Sequence, residues 1–132
     1  MKTVLFISFA YLFAFLATAA AEPDPGIIPN YPGSQLLCNE HLAGNTMHVQ
    51  WKSFSTRDPV PAVATFFEKK LGVKASTGEH DSQKFVHPTN SDWIVTLYSK
   101  GRAEFFPNCS RKPEPTAETI ILISQGIRGP AQ

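Results

Sequence analysis

Asp58-Pro59-Val60-Pro61-Ala62-Val63-Ala64-Thr65-Phe66-Phe67-Glu68-Lys69-Lys70-Leu71-Gly72 is the stretch that decides the fold. Asp58 is placed to accept hydrogen bonds from the free N–H groups of a helix start, and Pro59 at the first helical position has no N–H to leave unpaired. Val60, Val63, Ala64, Phe67 and Leu71 fall at i, i+3, i+4, i+7 and i+11, which draws one apolar stripe along a helix over residues 59–71. Lys69 and Lys70 lie in the last turn, where the negative end of the helix dipole favours cations. Gly72 can adopt the left-handed conformation that ends such a helix.

Working outward on the N-terminal side, Met47, Val49 and Trp51 alternate with His48, Gln50 and Lys52, the two-residue period of a half-buried strand. The alternation fails at Ser53-Phe54, which predicts a bulge or the strand end. Leu36-Leu37-Cys38 reads as a short apolar patch, and Gly44-Asn45 as a turn. On the C-terminal side Val73 to Ala75 fits a short strand and Lys84 to His87 a better one. Pro88 to Asp92 has the composition of a turn. Trp93 to Ser99, rich in β-branched and aromatic residues, predicts a strand. Lys100-Gly101 reads as a hairpin tip with its return arm over residues 102–106, ended by Pro107. Thr119 to Ile123 is apolar on both faces, the mark of a central strand, or of one covered by helix on one side and by other chain on the opposite side.

These elements give an α+β class, in the order β-α-β-β-β, with one helix packed on a curved antiparallel sheet of about four or five strands. Val60, Val63, Phe67 and Leu71 would be buried against Trp51, Val95, Leu97, Ile121 and Ile123.

At the far N-terminus Lys2, the apolar run from Val4 to Leu16 and the small residues Ala17 to Ala21 have the layout of a secretory signal peptide. Cleavage is expected after Ala21, or alternatively after Ala19. The run approaches the ~18 residues of a minimal membrane span. Its small-residue end and the following Glu22-Pro23-Asp24-Pro25 favour removal, which would leave a soluble secreted or periplasmic chain with no membrane contact. Residues 22–35 then form an extended Pro-rich arm, 36–126 a single domain and 127–132 a flexible tail. Without Lys2 the chain holds eleven cationic and eleven acidic side chains, with no net formal charge when His is neutral. That balance argues against a nucleic-acid or anionic-membrane binder, which needs a clustered cationic surface, and one small monomeric domain is the expected state. Cys38 and Cys109 are the two cysteines, and an oxidising compartment pairs them as one disulfide.

No Gly-x-Ser-x-Gly, glycine-rich phosphate loop or His-Glu-x-x-His occurs, and the carboxylates are scattered. His80-Asp81 are adjacent but fall in a polar loop. Cys38, His41, His48, His80 and His87 contain a single short-spaced pair, Cys38-x-x-His41, too little for a metal site once Cys38 is bridged. No catalytic residue, metal or cofactor is therefore expected. Asn108-Cys109-Ser110 fits the glycosylation sequon, with Cys109 competing for its own bridge.

Tyr31-Pro32-Gly33, a strand, Ser55-Thr56-Arg57-Asp58-Pro59-Val60, Val63 and Phe66-Phe67-Glu68-Lys69-Lys70-Leu71-Gly72 together are similar to a pattern found in small bacterial exported proteins. In them a Tyr-Pro-Gly turn precedes a strand, then a Thr-x-Asp-Pro/Ser helix start and a helix ending near Phe-Tyr-x-x-x-Leu, where this chain has Phe67 for Tyr. The resemblance spans about half of the chain beyond the leader and implies a fold and a compartment, with no activity attached. The element order also resembles that of cystatins. Val73-Lys74-Ala75-Ser76-Thr77-Gly78 departs from their Gln-x-Val-x-Gly hairpin, and Asp92 precedes Trp93 where they have Pro.

The expected role is a non-catalytic exported domain that binds a partner protein or small ligand on the sheet. Trp93, Tyr98, Lys100 and Gly101 are its candidate contacts, since aromatic side chains anchor interfaces. A cystatin-like protease inhibitor and a small secreted enzyme with a pocket between helix and sheet are the alternatives.

Overall fold

A computed structural model describes residues 28–105 and 109–129. The expected leader with its cleavage site, the first part of the arm, the sequon residue Asn108 and residues 130–132 lie outside them. Six strands and one α-helix follow in the order β1 (Gln35–Leu42), β2 (Met47–Thr56), α1 (Val60–Leu71), β3 (Ser76–Thr77), β4 (Gln83–Val86), β5 (Trp93–Ser99) and β6 (Thr119–Arg128). They form one sheet of spatial order β1-β2-β6-β5-β4-β3, with every neighbouring pair antiparallel. The α+β class stands, but the strand count and order are corrected. The strand missing from the expected order is β1, an edge strand whose Asn39-Glu40-His41-Leu42 is exposed on both faces and so carries no alternation.

Helix α1 forms where its apolar period places it, and Val63, Ala64, Phe67 and Leu71 are buried. Gly72 takes the left-handed conformation at φ 68° and donates its N–H to the Glu68 carbonyl at 2.9 Å. The helix start differs from expectation. Pro59, not Asp58, is the N-cap, no side chain caps the first turn, and Pro59 O accepts from the Ala62 and Val63 amides. Asp58 instead accepts a hydrogen bond from the Tyr31 hydroxyl, and its carbonyl accepts one from Thr119 Oγ1 at 2.7 Å. The acid at the helix start is a tie between three segments.

The sheet face beneath the helix carries Phe54, Phe85, Val95, Leu97, Ile121 and Ile123, which with Ile28 and the helix stripe make the core. Helix α1 packs on β4 and β5. A helix ~10 Å across covers about two strands, whereas six strands spaced ~4.8 Å apart span roughly 24 Å. The β1-β2-β6 part of the same face is thus left to something else. The arm takes some of it: Ile28 is buried, and the Tyr31 ring meets Phe66 edge-on with centroids 5.1 Å apart.

Alternation along β2 puts Gln50, Lys52 and Phe54 on the helix face and Met47, Val49, Trp51 and Ser53 on the reverse. Trp51 was expected in the core facing the helix, and this is corrected. It is half-buried on the reverse face, with its Nε1 buried and unpartnered. The strand does not stop at Ser53-Phe54 but runs to Thr56, and the register shift lies across the hairpin in β1, between Leu36 and Cys38.

Strand β6 is central, between β2 and β5, and Ile120 and Ile121, on opposite faces, are both fully buried. It continues past the expected strand end and past position 126, with Ile127 and Arg128 pairing with His48 and Met47. The expected hairpin at Lys100-Gly101 is not formed. Residues Lys100–Phe105 make a 3₁₀ turn, and β5 pairs with β4 on one side and β6 on the other. Between β5 and β6 in sequence, Cys109 is tied to β1 by the disulfide Cys38–Cys109. Just before β6 the Glu118 N–H donates to Thr56 O at 2.8 Å, a second tie, to the end of β2. The short strand expected at 73–75 forms one step later, as β3.

Candidate functional site

The uncovered part of the helix face is a slot of about 360 Å³ lined by Ile28, Pro29, Asn30, Asn39, Gln50, Trp51, Lys52, Trp93 and Ile123. Its floor can be read from the register. Asn39 pairs with Lys52, Lys52 with Ile123 and Ile123 with Val95, which makes one row across four strands. The next row is His41, Gln50, Gln125 and Trp93. Gln50 Nε2 donates to Gln125 Oε1, so the two amides fix each other. Beyond them His41 and His48 meet edge to face, ring centroids 5.1 Å apart, with His48 Nδ1 buried and unpartnered.

Trp93 forms the wall nearest the helix and packs partly against the core. The turn before it is built to deliver it there. His87 Nδ1 accepts from the Thr89 and Asn90 amides at 3.3 and 3.2 Å, and Asn90 Oδ1 accepts from the Asp92 N–H at 3.2 Å. The Trp93 amide donates to Asn90 O at 3.1 Å and its carbonyl accepts from His87 N at 3.0 Å. His87, whose ring nitrogen holds this turn, is buried and structural.

The opposite wall is the arm, and Tyr31 fastens it. The hydrogen bond from the Tyr31 hydroxyl to Asp58 Oδ2 raises the phenol's pKa above its ordinary value of 10.0, with burial and the Asp58 charge adding in the same direction. Burial and then the Glu79 charge raise Tyr98 likewise. A phenol whose pKa is higher folded than unfolded contributes stability that is complete below pH ~10 and is lost as pH rises through the folded value. The thermal midpoint should therefore fall from about pH 10 upward, and Tyr31→Phe should show a smaller fall, with Tyr98 supplying a remainder. Circular-dichroism melts at pH 8 and 10.5 check this, and equal falls in the two proteins would refute the Tyr31 assignment.

Among the described residues Lys52 is the single ionisable side chain in the lining. The ion pairs among the described residues are Arg57–Glu114, Lys74–Glu68 and Arg102–Asp81, none of which reaches it. Its cross-strand neighbours, Asn39 and Ile123, are uncharged.

The four candidate contacts do not gather in one place. Trp93 lines the slot, but Tyr98, five residues along the same strand, faces the reverse side. There it borders a shallow groove with Thr96, Ser124, Lys84 and Glu79. Lys100 and Gly101 sit in the 3₁₀ turn, and Lys100 Nζ donates to Pro115 O. Among the described residues no group of three or more His, Cys, Asp or Glu is placed to hold a metal ion. Cys38 is bridged, and His80 lies beyond β3, at the opposite sheet edge from His41 on β1. Among them also, no helix is long and apolar enough to cross a membrane.

Asn39, Gln50 and Lys52 were missed as site residues. Half of a strand's side chains ordinarily face water, and these three look like that half. The available signal was Gln125, the next residue after Ile121 and Ile123 on the same face of β6. It marks the row where the dry core stops, and reading it required knowing that β6 pairs with β2. No protein-family model, curated protein or solved structure matches the chain.

Proposed function

We propose that the domain is an exported, non-catalytic binding module that holds a small molecule in the slot between arm and sheet. The observation that carries this reading is the lining itself. A half-buried indole and two apolar side chains, Ile28 and Ile123, enclose a polar floor of Asn39, Gln50 and Lys52. Few, fixed polar groups set in an apolar cleft of some 300–1,000 Å³ are the usual makings of a small-molecule site. One ionisable group in the lining favours binding over acid–base catalysis, which needs a second partner to take or return the proton. The setting of Trp93, against the core and in a slot, favours a small ligand over a wedge of the protease-inhibitor kind.

The test is a ¹⁵N-NMR screen of the oxidised protein with small planar acids, alcohols and amines. Shift changes should gather at the amides of Asn39, Gln50, Lys52, Trp93 and Ile123. Trp93→Ala should weaken any hit by about tenfold, the scale of one buried aromatic contact. Asn39→Trp places an aromatic side chain in the slot from an exposed strand position where β propensity favours it, and should abolish binding with the fold intact. Hits that ignore Asn39→Trp, or shifts confined to the reverse face, would overturn the reading.

A further inference from the structure

Given that slot, we infer that its ligand is a small monocarboxylate with a flat or apolar body. Among the described residues Lys52 brings a positive charge to a lining with no carboxylate, and none of the ion pairs neutralises it. Glu40, close by in sequence, pairs with Trp51 and so projects on the other side of the sheet. Beside Lys52 stand two kinds of amide. Asn39 is its direct cross-strand partner and is exposed, with NH₂ donors to offer. Gln50 is already engaged, its Nε2 given to Gln125. An ammonium and an adjacent amide NH₂ are the complement of a two-oxygen anion.

The charge count selects among anions. A phosphate monoester carries about −1.5 to −2 at neutral pH. One lysine leaves much of that unbalanced, whereas a carboxylate is matched one to one. Apart from Asn30, the remaining lining, Trp93, Trp51, Ile123, Ile28 and Pro29, is apolar or aromatic. It suits a ring or short hydrocarbon body lying with one face on the Trp93 indole. A cationic ligand would meet Lys52 with no acid to offset it. A neutral one would gain nothing from the ammonium's charge.

The experiment uses three probes of one shape: 2-naphthoate, 2-naphthalenemethanol and 2-naphthylmethylammonium. Each is titrated into the disulfide-bonded protein at low salt, with affinity from calorimetry and location from NMR shifts. Naphthoate should bind roughly tenfold more tightly than the alcohol, the order expected of a charge-assisted hydrogen bond at a partly solvated site, and the amine most weakly. Lys52→Gln, at an exposed strand position, should collapse the gap between naphthoate and alcohol, and 0.5 M salt should narrow it. If the alcohol or the amine matches naphthoate at the slot, or the gap survives Lys52→Gln, the carboxylate assignment is wrong while the slot stands. If no probe moves the slot amides, the slot reading falls, and this inference with it.

Discussion

Replacing Phe67 by Ala should cost about 3–5 kcal/mol, the range for a fully enclosed aromatic side chain. Phe67 has no exposed surface and sits at the centre of the α1 stripe. Its ring meets Phe66 with centroids 5.1 Å apart and Phe85, across on β4, at 6.1 Å. Phe85 is itself fully enclosed, so the cavity left by the mutation opens between two rigid layers and has little room to collapse. Small domains hold roughly 5–15 kcal/mol in all, so the variant should sit near the edge of folding. Urea titration should show a lower midpoint with an unchanged slope. Phe66→Ala, at the half-buried ring beside it, should lose clearly less. A loss of under ~1 kcal/mol in Phe67→Ala would mean the helix is not seated on β4 and β5 as described. Ile28, Trp93 and Ile123 join the slot to the core, but its polar floor of Asn39, Gln50 and Lys52 lies on β1 and β2, away from Phe67, so the folded fraction of Phe67→Ala should keep most of its affinity for naphthoate. Fold and site can thus be separated by one variant.

That separation also explains which features could be read before the structure. The helix was legible because three local signals agree on it: the 3.6-residue apolar period, cations in the last turn and Gly72 just beyond. The bounds of β5 were legible because Trp93 to Ser99 has strong β propensity between turn residues. The central place of β6 was legible because only a strand covered on both faces can be apolar on both. What failed depended on partners distant in sequence. Asp58 has the right chemistry for a cap, yet Tyr31, 27 residues earlier, holds its carboxylate. Lys100-Gly101 has hairpin composition, yet the next strand that pairs with β5 comes only after the prolines at 113 and 115. Trp51 obeys the alternation it displays, but alternation does not say which face the helix will take. The helix sits over β4 and β5, and the face it shares with β2 presents Gln50 and Lys52. The slot was illegible for the same reason. It exists because one helix is too narrow for six strands, a fact about the sheet's width and not about any window of sequence.

Breaking the Cys38–Cys109 bridge should cost a comparable amount, and unlike Phe67→Ala it should reach the site. The two cysteines are 71 residues apart, and the chain-entropy account assigns a loop of that length about 4 kcal/mol. For a domain near 100 residues this lowers the thermal midpoint by roughly 15–30 °C. The local effect falls on β1. It is an edge strand, hydrogen-bonded to β2 alone, and its pairing is already interrupted by the register shift between Leu36 and Cys38. Leu37 and Cys38 are its buried residues, while the rest of the strand has little to bury. With the bridge cut, the side of β1 beyond the shift keeps only its ladder to β2, and edge strands of this kind open first in hydrogen exchange. Asn39 is the next residue after Cys38 and the amide that flanks Lys52 in the slot. Cys38→Ala with Cys109→Ala should therefore speed exchange of the β1 amides and weaken naphthoate several-fold, at a temperature where the core amides of β5 and β6 remain protected. The ratio of the two readouts is the informative quantity. A large drop in midpoint with unchanged β1 exchange and naphthoate affinity would make the bridge a constraint on the unfolded chain alone. Loss of affinity in step with β1 exchange would make it the clamp that keeps one wall of the slot in place.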